Sequence, residues 1–76
     1  MKTIHVRLST IEAIRDFVAV VLSFDYDIDL RSGRYLVDAK SIMGIFSLDL
    51  LNPIELIAHT EDPSALFEKL ENYIVD

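Results

Sequence analysis

Apolar residues recur with two different periods in this chain, and the period changes early. Between residues 2 and 8, apolar side chains at every second position alternate with polar ones, which is typical of a strand with one buried face. From residue 10 to residue 22 the spacing becomes helical. The apolar positions of this second segment are Ile11, Ile14, Phe17, Val18 and Val21. A strand followed at once by an amphipathic helix is therefore predicted.

The start of that helix carries a capping signal. Ser9-Thr10-Ile11-Glu12 fits a capping box, in which Ser9 caps the helix and the Glu12 side chain reaches back to it. Many residues of the helix are β-branched, which lowers its intrinsic propensity. Burial must support the helix, and a strand is the competing interpretation of the sequence "FVAVVL".

The next segments favour a hairpin and then a short helix. Tyr26, Ile28 and Leu30 alternate with three aspartates, and "RSGR" predicts a turn around Gly33, so residues 25–38 are interpreted as two strands joined by that turn. A short helix is predicted within the sequence "KSIMGIFSL" that follows.

The C-terminal third is predicted to contain a fourth strand at residues 54–60 and a last helix. Asp62 is expected to be its N-cap and Pro63 its first residue. Its apolar face would consist of Leu66, Phe67, Leu70, Tyr73 and Ile74.

These elements predict an α+β fold over one domain, residues 1–76. The order is strand, helix, strand, strand, short helix, strand, helix. Helices would cover one face of a four-stranded antiparallel sheet.

Composition excludes several functional classes. The net charge of −6 at pH 7 and the scattered basic residues argue against binding to nucleic acid. The absence of cysteine excludes a disulfide scaffold, a thiol nucleophile and a zinc-cysteine site, and it suits a cytoplasmic protein. No apolar run is long enough for a signal peptide or a membrane span, so no membrane association is expected.

Two further patterns, the alternating aspartates and the two histidines, could indicate a metal-binding or catalytic site. The aspartates of "DYDIDL" are spaced as in calcium loops, but Leu30 and Leu36 stand where an EF-hand needs glycine and glutamate, so an alternating strand is favoured and no metal is expected. His5 and His59 fall on polar strand faces, and no serine, cysteine or carboxylate is visibly paired with either. We therefore interpret both as solvent-facing histidines, and no cofactor is expected because two glycines cannot build a phosphate loop.

The stretch "KSIMGIF" is the strongest candidate for a functional site. Ser41 is placed to cap a short helix, either as a plain N-cap or as a phosphorylation site. Gly44 would permit the close approach of another chain or an unusual backbone angle. The four large apolar residues cannot all face inward on so short a helix, which predicts an exposed apolar patch. They are Ile42, Met43, Ile45 and Phe46.

The sequence "VDAKSIMGIFSL" closely resembles the regulatory-serine segment of the HPr family, the histidine-containing phosphocarriers of the bacterial sugar phosphotransferase system. The element order and the hairpin agree along essentially the whole chain. The resemblance implies an open-faced β-sandwich, a serine modified by a dedicated HPr kinase/phosphorylase, and a phosphoacceptor histidine at the start of the first helix. Ser41 matches that serine.

The chain departs from the family at the second of these sites. Aligned from Ser41 without gaps, Thr10 stands at the family's histidine position and Glu12 at its arginine position. No histidine lies between His5 and His59, and a glutamate would repel a phosphoryl group. The resemblance therefore implies an HPr-like protein without the catalytic histidine.

Three functions remain open from the sequence. The leading hypothesis is a non-enzymatic regulatory protein in carbon catabolite control, with Ser41 as the switch and Lys40, Ile42, Met43 and Phe46 as the docking patch. Its partners would be proteins, such as an HPr kinase/phosphorylase or a transcriptional regulator. The alternatives are a phosphocarrier in sugar transport and an interaction module that needs no phosphorylation. The oligomeric state is left open.

Overall fold

The computed structural model describes residues 2–75 and confirms the predicted α+β fold. Four antiparallel strands form one sheet in the order β1-β4-β2-β3. The elements along the chain are β1 (Lys2–Val6), α1 (Ile11–Leu22), β2 (Ile28–Ser32), β3 (Tyr35–Asp38), α2 (Ile42–Phe46), β4 (Ile54–Ala58) and α3 (Ser64–Lys69). This is the order of elements that the sequence predicted.

The register of the sheet divides its side chains between two faces. One cross-strand row contains Ile4, Leu56, Leu30 and Val37, and it lies on the inner face, which the helices cover. The neighbouring row contains His5, Glu55, Arg31 and Leu36, and it lies on the outer face. Because successive side chains of a strand point to opposite faces, this outer row is polar except for Leu36, whereas the inner row is apolar.

The core lies between the inner face of the sheet and the helices. Burying a large apolar side chain stabilises a protein by about 1.5–3 kcal/mol, so the four buried residues of α1 offset its low helical propensity. They are Ile14, Phe17, Val18 and Val21. Ile11 was expected on the same face, but 57% of its surface is exposed. It stands at the first position of the helix, beyond the edge of the core.

The cap of α1 lies one residue later than the sequence predicted. Thr10, in an extended conformation, accepts a hydrogen bond at Oγ1 from the Ala13 N–H at 2.9 Å. Ser9 is therefore not the N-cap, and Glu12 is not in the third helical position that a capping box requires. Ser9 and Thr10 both fit a cap by residue type, and the backbone selects Thr10.

The last helix also starts one residue later than predicted. Pro63 is at the cap position and Ser64 is the first helical residue, but Asp62 Oδ1 still accepts hydrogen bonds from the Ser64 hydroxyl at 2.7 Å and its N–H at 3.1 Å. These two bonds hold the pKa of the exposed Asp62 carboxyl below its usual value, because they favour the charged form. Asp62 thus supports the helix start from outside the helix.

The C-terminal segment leaves the helix and covers one edge of the sheet. The helix ends at Lys69, so the prediction that Tyr73 and Ile74 lie on its apolar face is wrong. Tyr73 packs edge-on against Phe17, and its carbonyl accepts from the Arg7 N–H at 2.8 Å, while Ile74 forms an isolated bridge with Val6. This segment occupies the free side of β1.

Three strands are shorter than predicted, and one turn is as expected. β1 ends at Val6, β4 ends at Ala58, and β2 begins only at Ile28, so that Asp25 and Asp27 precede the sheet. The turn between β2 and β3 contains Gly33 with φ of +60°, a left-handed conformation that favours glycine. The hairpin itself is confirmed.

Candidate functional site

Ser41 caps α2, as the sequence predicted. Its Oγ accepts a hydrogen bond from the Gly44 N–H at 3.1 Å, and its carbonyl accepts the first helical bond, from Ile45 N–H at 3.1 Å. The Ser41 N–H donates to the Asp38 carbonyl at 3.0 Å, which ties the helix start to the end of β3. The side chain is exposed, so the hydroxyl is accessible from solvent.

Gly44 allows α2 to lie against β3. A Cβ atom at this position would come within 3.1 Å of Val37 Cβ and 3.3 Å of Ser41 Oγ. The predicted unusual backbone angle is wrong, because Gly33 is the glycine with a positive φ among the described residues. The close approach that Gly44 makes here is to Val37 of the same chain, and the approach of another chain stays a prediction.

The side chains of α2 divide as a five-residue helix must. Ile45 is fully buried and anchors the helix, while Met43 is 77% exposed and Phe46 45% exposed. Ile42 and Lys40 are half-buried. We call Lys40, Ser41, Ile42, Met43 and Phe46 the α2 patch. Its exposed apolar surface was predicted, and its use as a docking surface stays a prediction.

The structure extends this apolar surface toward the start of α1. A groove of about 270 Å³ lies between the first helix and the loop after α2. Phe46 lines it from one side, Thr10 and Ile11 from another, and Leu50 and Leu51 from the loop. Leu51 is 84% exposed. A surface with this much exposed apolar area is typical of a protein-binding site.

Sequence reasoning missed Ile11 and Leu51 as parts of this surface. Ile11 was assigned to the core because it fits the helical spacing. Leu51 belongs to the apolar run Leu48, Leu50 and Leu51, of which only Leu48 is buried. A loop cannot bury three neighbouring leucines, and that excess was the available signal.

The start of α1 combines a hydroxyl cap with a carboxylate. Thr10 and Glu12 are both exposed, and Glu12 lies in the first turn of the helix. Arg7 Nη1 donates to the Leu51 carbonyl at 3.3 Å and so contacts the loop that lines the groove. A side-chain hydroxyl is a poor replacement for imidazole in reversible phosphoryl transfer, and the charge of Glu12 would repel an incoming phosphoryl group.

Both histidines lie away from the helix starts, on the outer face of the sheet. His5 is opposite Glu55 in the register of β1 and β4. His59 follows β4, and its Nε2 lies 2.8 Å from Asp29 Oδ2. The expectation that no carboxylate is paired with either histidine is therefore wrong for His59. The pairing depends on the register between β2 and β4, which the sequence alone does not give.

The aspartates of the sequence "DYDIDL" do not converge. Asp29 is in β2 beside His59, whereas Asp25 and Asp27 precede the strand. Among residues 2–75, no three His, Cys, Asp or Glu side chains form a group that could hold a metal ion.

Burial, followed by the charges of Asp62 and Asp25, raises the pKa of Tyr26.

Another depression lies on the outer face, between the hairpin turn and the loop of residues 47–53. It is an open surface feature of about 890 Å³ lined by charges of both signs. Arg31 Nε donates to Glu55 Oε1 at 2.7 Å, so its central charges are paired with each other.

No helix in residues 2–75 has the length and hydropathy needed to cross a membrane.

Comparisons with known proteins point to one family. Residues 4–76 match the family model PTS-HPr, described as "PTS HPr component phosphorylation site". A solved structure titled "Crystal structure of HPr-C-His from Thermoanaerobacter tengcongensis" is similar, with a TM-score of 0.79 and 26% sequence identity. The match covers 95% of this chain and 89% of that one. A comparison with curated proteins finds no match.

Proposed function

The chain belongs to the PTS-HPr family, the HPr component of the phosphotransferase system, and on that premise we propose that it is a regulatory member that acts through Ser41 and the α2 patch. The family and the fold relate it to the phosphocarriers. The finer proposal is that it is not an enzyme, carries no phosphohistidine, and binds protein partners in a way that depends on the state of Ser41.

One observation carries this proposal. Ser41 is an exposed hydroxyl at the start of α2, and Met43 and Phe46 on the same short helix expose 77% and 45% of their surfaces. A modification of Ser41 therefore changes the charge at the edge of an apolar surface. This is an arrangement in which one phosphate can alter partner choice.

The expected physical effect is electrostatic. A phosphate on Ser41 adds roughly −1.5 to −2 charges at pH 7. It would weaken contact with a partner that presents apolar or acidic groups, and it would strengthen contact with one that presents arginine or lysine. Lys40 adjoins Ser41 in the chain and would lie at the edge of the altered surface.

Two observations support the absence of phosphohistidine transfer. Thr10 stands at the helix start where the family places its histidine, with Glu12 in the same turn. The two histidines of the chain are His5 and His59, both associated with the outer face, whereas the helices cover the inner face. Neither histidine is positioned to replace the missing group at the start of α1.

The first experiment tests Ser41 as the phosphorylation site. The protein is incubated with an HPr kinase/phosphorylase and ATP, and the modified residue is mapped by mass spectrometry. We expect one phosphate on Ser41, none in Ser41→Ala, and normal labelling of Thr10→Ala, which removes the other helix-capping hydroxyl. If a true HPr is labelled in parallel while this chain is not, the switch is refuted.

The second experiment tests phosphocarrier activity, which is the family's usual function. The protein is incubated with enzyme I and labelled phosphoenolpyruvate. We expect no acid-labile label. Label on His5 or His59, lost in the corresponding His→Ala variant, would contradict the proposal.

An interaction module that needs no phosphorylation is the second candidate. The groove with Ile11 and Leu51 favours it, because this apolar surface extends well beyond Ser41. The candidates differ in one measurement. Once a partner is in hand, Ser41→Asp should change its affinity if Ser41 is a switch and leave it unchanged if the patch is a simple docking surface.

A further inference from the structure

The C-terminal segment, as far as residue 75, makes backbone contacts with one edge of the sheet and not with the other. On the β1 side, the Val75 N–H donates to the His5 carbonyl at 3.0 Å, the Arg7 N–H donates to the Tyr73 carbonyl, and Ile74 bridges to Val6. β3 is the other terminal strand, and within residues 2–75 no segment pairs with its free side. One edge is partly covered, whereas the other is open along β3 up to Asp38, whose carbonyl accepts from the Ser41 N–H.

The backbone groups of Leu36 point out of that open edge. The Ala39 N–H donates to the Ile28 carbonyl at 2.9 Å, and antiparallel partners alternate between hydrogen-bonded and non-hydrogen-bonded pairs. Ala39 and Ile28 form a hydrogen-bonded pair, so every second residue before Ala39, namely Val37 and Tyr35, is also bonded to β2. Leu36 lies between them and is not. Its N–H and C=O are therefore free to pair with another strand.

The side chains of this edge are exposed and carry opposite charges at either end. Tyr35 is 63% and Leu36 58% exposed. Arg34 precedes β3 and Asp38 ends it, and both are exposed. By alternation, Leu36 and Asp38 share the outer face, while Tyr35 and Val37 share the helix side, and Arg34 is the turn residue directly before the strand.

We infer that β3 pairs in antiparallel fashion with β3 of a second copy of this chain, about a twofold axis through Leu36. In that register Leu36 faces Leu36 of the copy, Tyr35 faces Val37, and Arg34 faces Asp38. Opposite charges and apolar pairs placed directly across two strands stabilise a sheet. The sequence of this edge is thus complementary to itself, and the two sheets join into one with all helices on the same side.

Neighbouring registers lose this complementarity. Centred on Val37, the pairing would place Leu36 against Asp38 and Arg34 against Lys40, a like-charge contact. Centred on Tyr35, it would leave Asp38 opposite Ser32 and Arg34 opposite Leu36. The register centred on Leu36 pairs both charges and both apolar groups, so charge complementarity selects the second copy as occupant and also fixes its alignment.

The pairing should be weak. One short strand buries far less than the ~1,200 Å² of a stable interface, so we expect a dissociation constant on the order of 0.1–1 mM. The net charge of −6 on each copy adds a repulsion that salt screens.

The test is a charge exchange between two variants, read by sedimentation equilibrium and by amide chemical shifts at rising protein concentration. Arg34→Asp and Asp38→Arg should each abolish self-association. Their mixture should form a heterodimer, because each chain then carries one sign of charge at both edge positions. Arg15→Asp and Asp16→Arg make the same changes of charge on the exposed surface of α1 and should not affect dimerisation.

Folding and competing partners are checked in the same experiment. Asp38 Oδ1 accepts from the Lys40 N–H at 2.9 Å, so thermal unfolding must show that Asp38→Arg is folded. Leu36→Lys, at an exposed position, is a second disrupting variant with no such contact. Three results would each overturn the inference: a protein that is still monomeric at about 1 mM, the upper end of the expected dissociation constant; a dimer that survives Arg34→Asp; or a mixture of the two variants that fails to associate.

Discussion

The first and second helices begin in the same way and lie in different surroundings. Thr10 and Ser41 each accept a hydrogen bond from the backbone N–H three residues further on, at 2.9 Å and 3.1 Å. The first turn of α1 contains Glu12, whereas the first turn of α2 contains no acidic residue. α1 buries four residues, and α2 buries Ile45 alone.

The difference shows how a cap can be structural in one place and a candidate switch in another. The hydroxyl geometry is common to both helices, so it does not distinguish them. What distinguishes them is the neighbouring charge, the depth of anchoring and the exposed apolar surface beside the cap. α2 is anchored by one buried side chain and exposes Met43 and Phe46. A phosphate at its start is therefore expected to have a larger effect than one at the start of α1.

The largest expected effect tests the anchoring. Ile45→Ala should lower the free energy of unfolding by about 2–5 kcal/mol, because it opens a cavity under α2. Ile14→Ala should cost a similar amount but leave α1 in place, since Phe17, Val18 and Val21 remain buried. Urea denaturation gives the energies. Hydrogen exchange should show that the Gly44 and Ile45 amides lose protection beyond the global loss only in Ile45→Ala.

The control for this comparison is Met43→Ala, a truncation at an exposed position of the same helix. It should change stability by less than about 0.5 kcal/mol. Equal protection of the α2 amides in Ile45→Ala and Ile14→Ala would show that α2 is not held by Ile45.

The next effect tests the residue whose backbone N–H donates to each cap, Ala13 in α1 and Gly44 in α2. Gly44→Val should cost about 1–3 kcal/mol, because its side chain would overlap Val37. Ala13→Val, at the equivalent position of α1, already has space for a Cβ and should cost about 0.5 kcal/mol through helical propensity. Thermal and urea unfolding of the two variants measure the difference. A larger loss for Ala13→Val would contradict it.

Removal of the caps themselves should have nearly equal effects. Thr10→Ala and Ser41→Ala should each cost about 1 kcal/mol, because each leaves one helix N–H without its partner. Thr10→Ser and Ser41→Thr retain a hydroxyl and should recover most of the loss. If Ser41→Ala cost nothing in unfolding experiments, its hydroxyl would have no structural role.

The smallest effect tests the neighbouring charge. Aspartate is as good a cap as serine, and a negative charge at a helix start is worth about 0.3–1 kcal/mol at low salt. Ser41→Asp should gain this stabilisation, while Thr10→Asp should gain less because Glu12 already places a negative charge in the first turn of α1. Melting temperatures at low and high salt give the comparison, and the difference should shrink as salt is added.

Much of the fold followed from local patterns. The switch from alternating to helical spacing located β1 and α1, and Gly33 located the hairpin turn. The α2 patch was predictable because a helix of five residues has room to bury only one stripe, so Met43 and Phe46 had to be exposed. These are properties of short segments, and short segments are what a sequence displays directly.

Most of the features that were missed depend on how distant segments meet. The contact between His59 and Asp29 requires the register of β2 against β4, and a period of two is compatible with several registers. The groove beside α1 requires the loop with Leu51 to pack near Ile11. The cap of α1 was misplaced because Ser9 and Thr10 both suit that role by residue type, and only the backbone conformation distinguishes them.

The bridge between Val6 and Ile74 has a consequence for the order of folding. It closes a loop that spans nearly the whole chain, while the hairpin of β2 and β3 closes across a two-residue turn. Because the entropy cost of closure rises with loop length and distant contacts slow folding, we expect the hairpin to form before the bridge between Val6 and Ile74. On that expectation, the edge of β1 that Ile74 and Val75 cover in the native state stays open to solvent until this long-range contact forms.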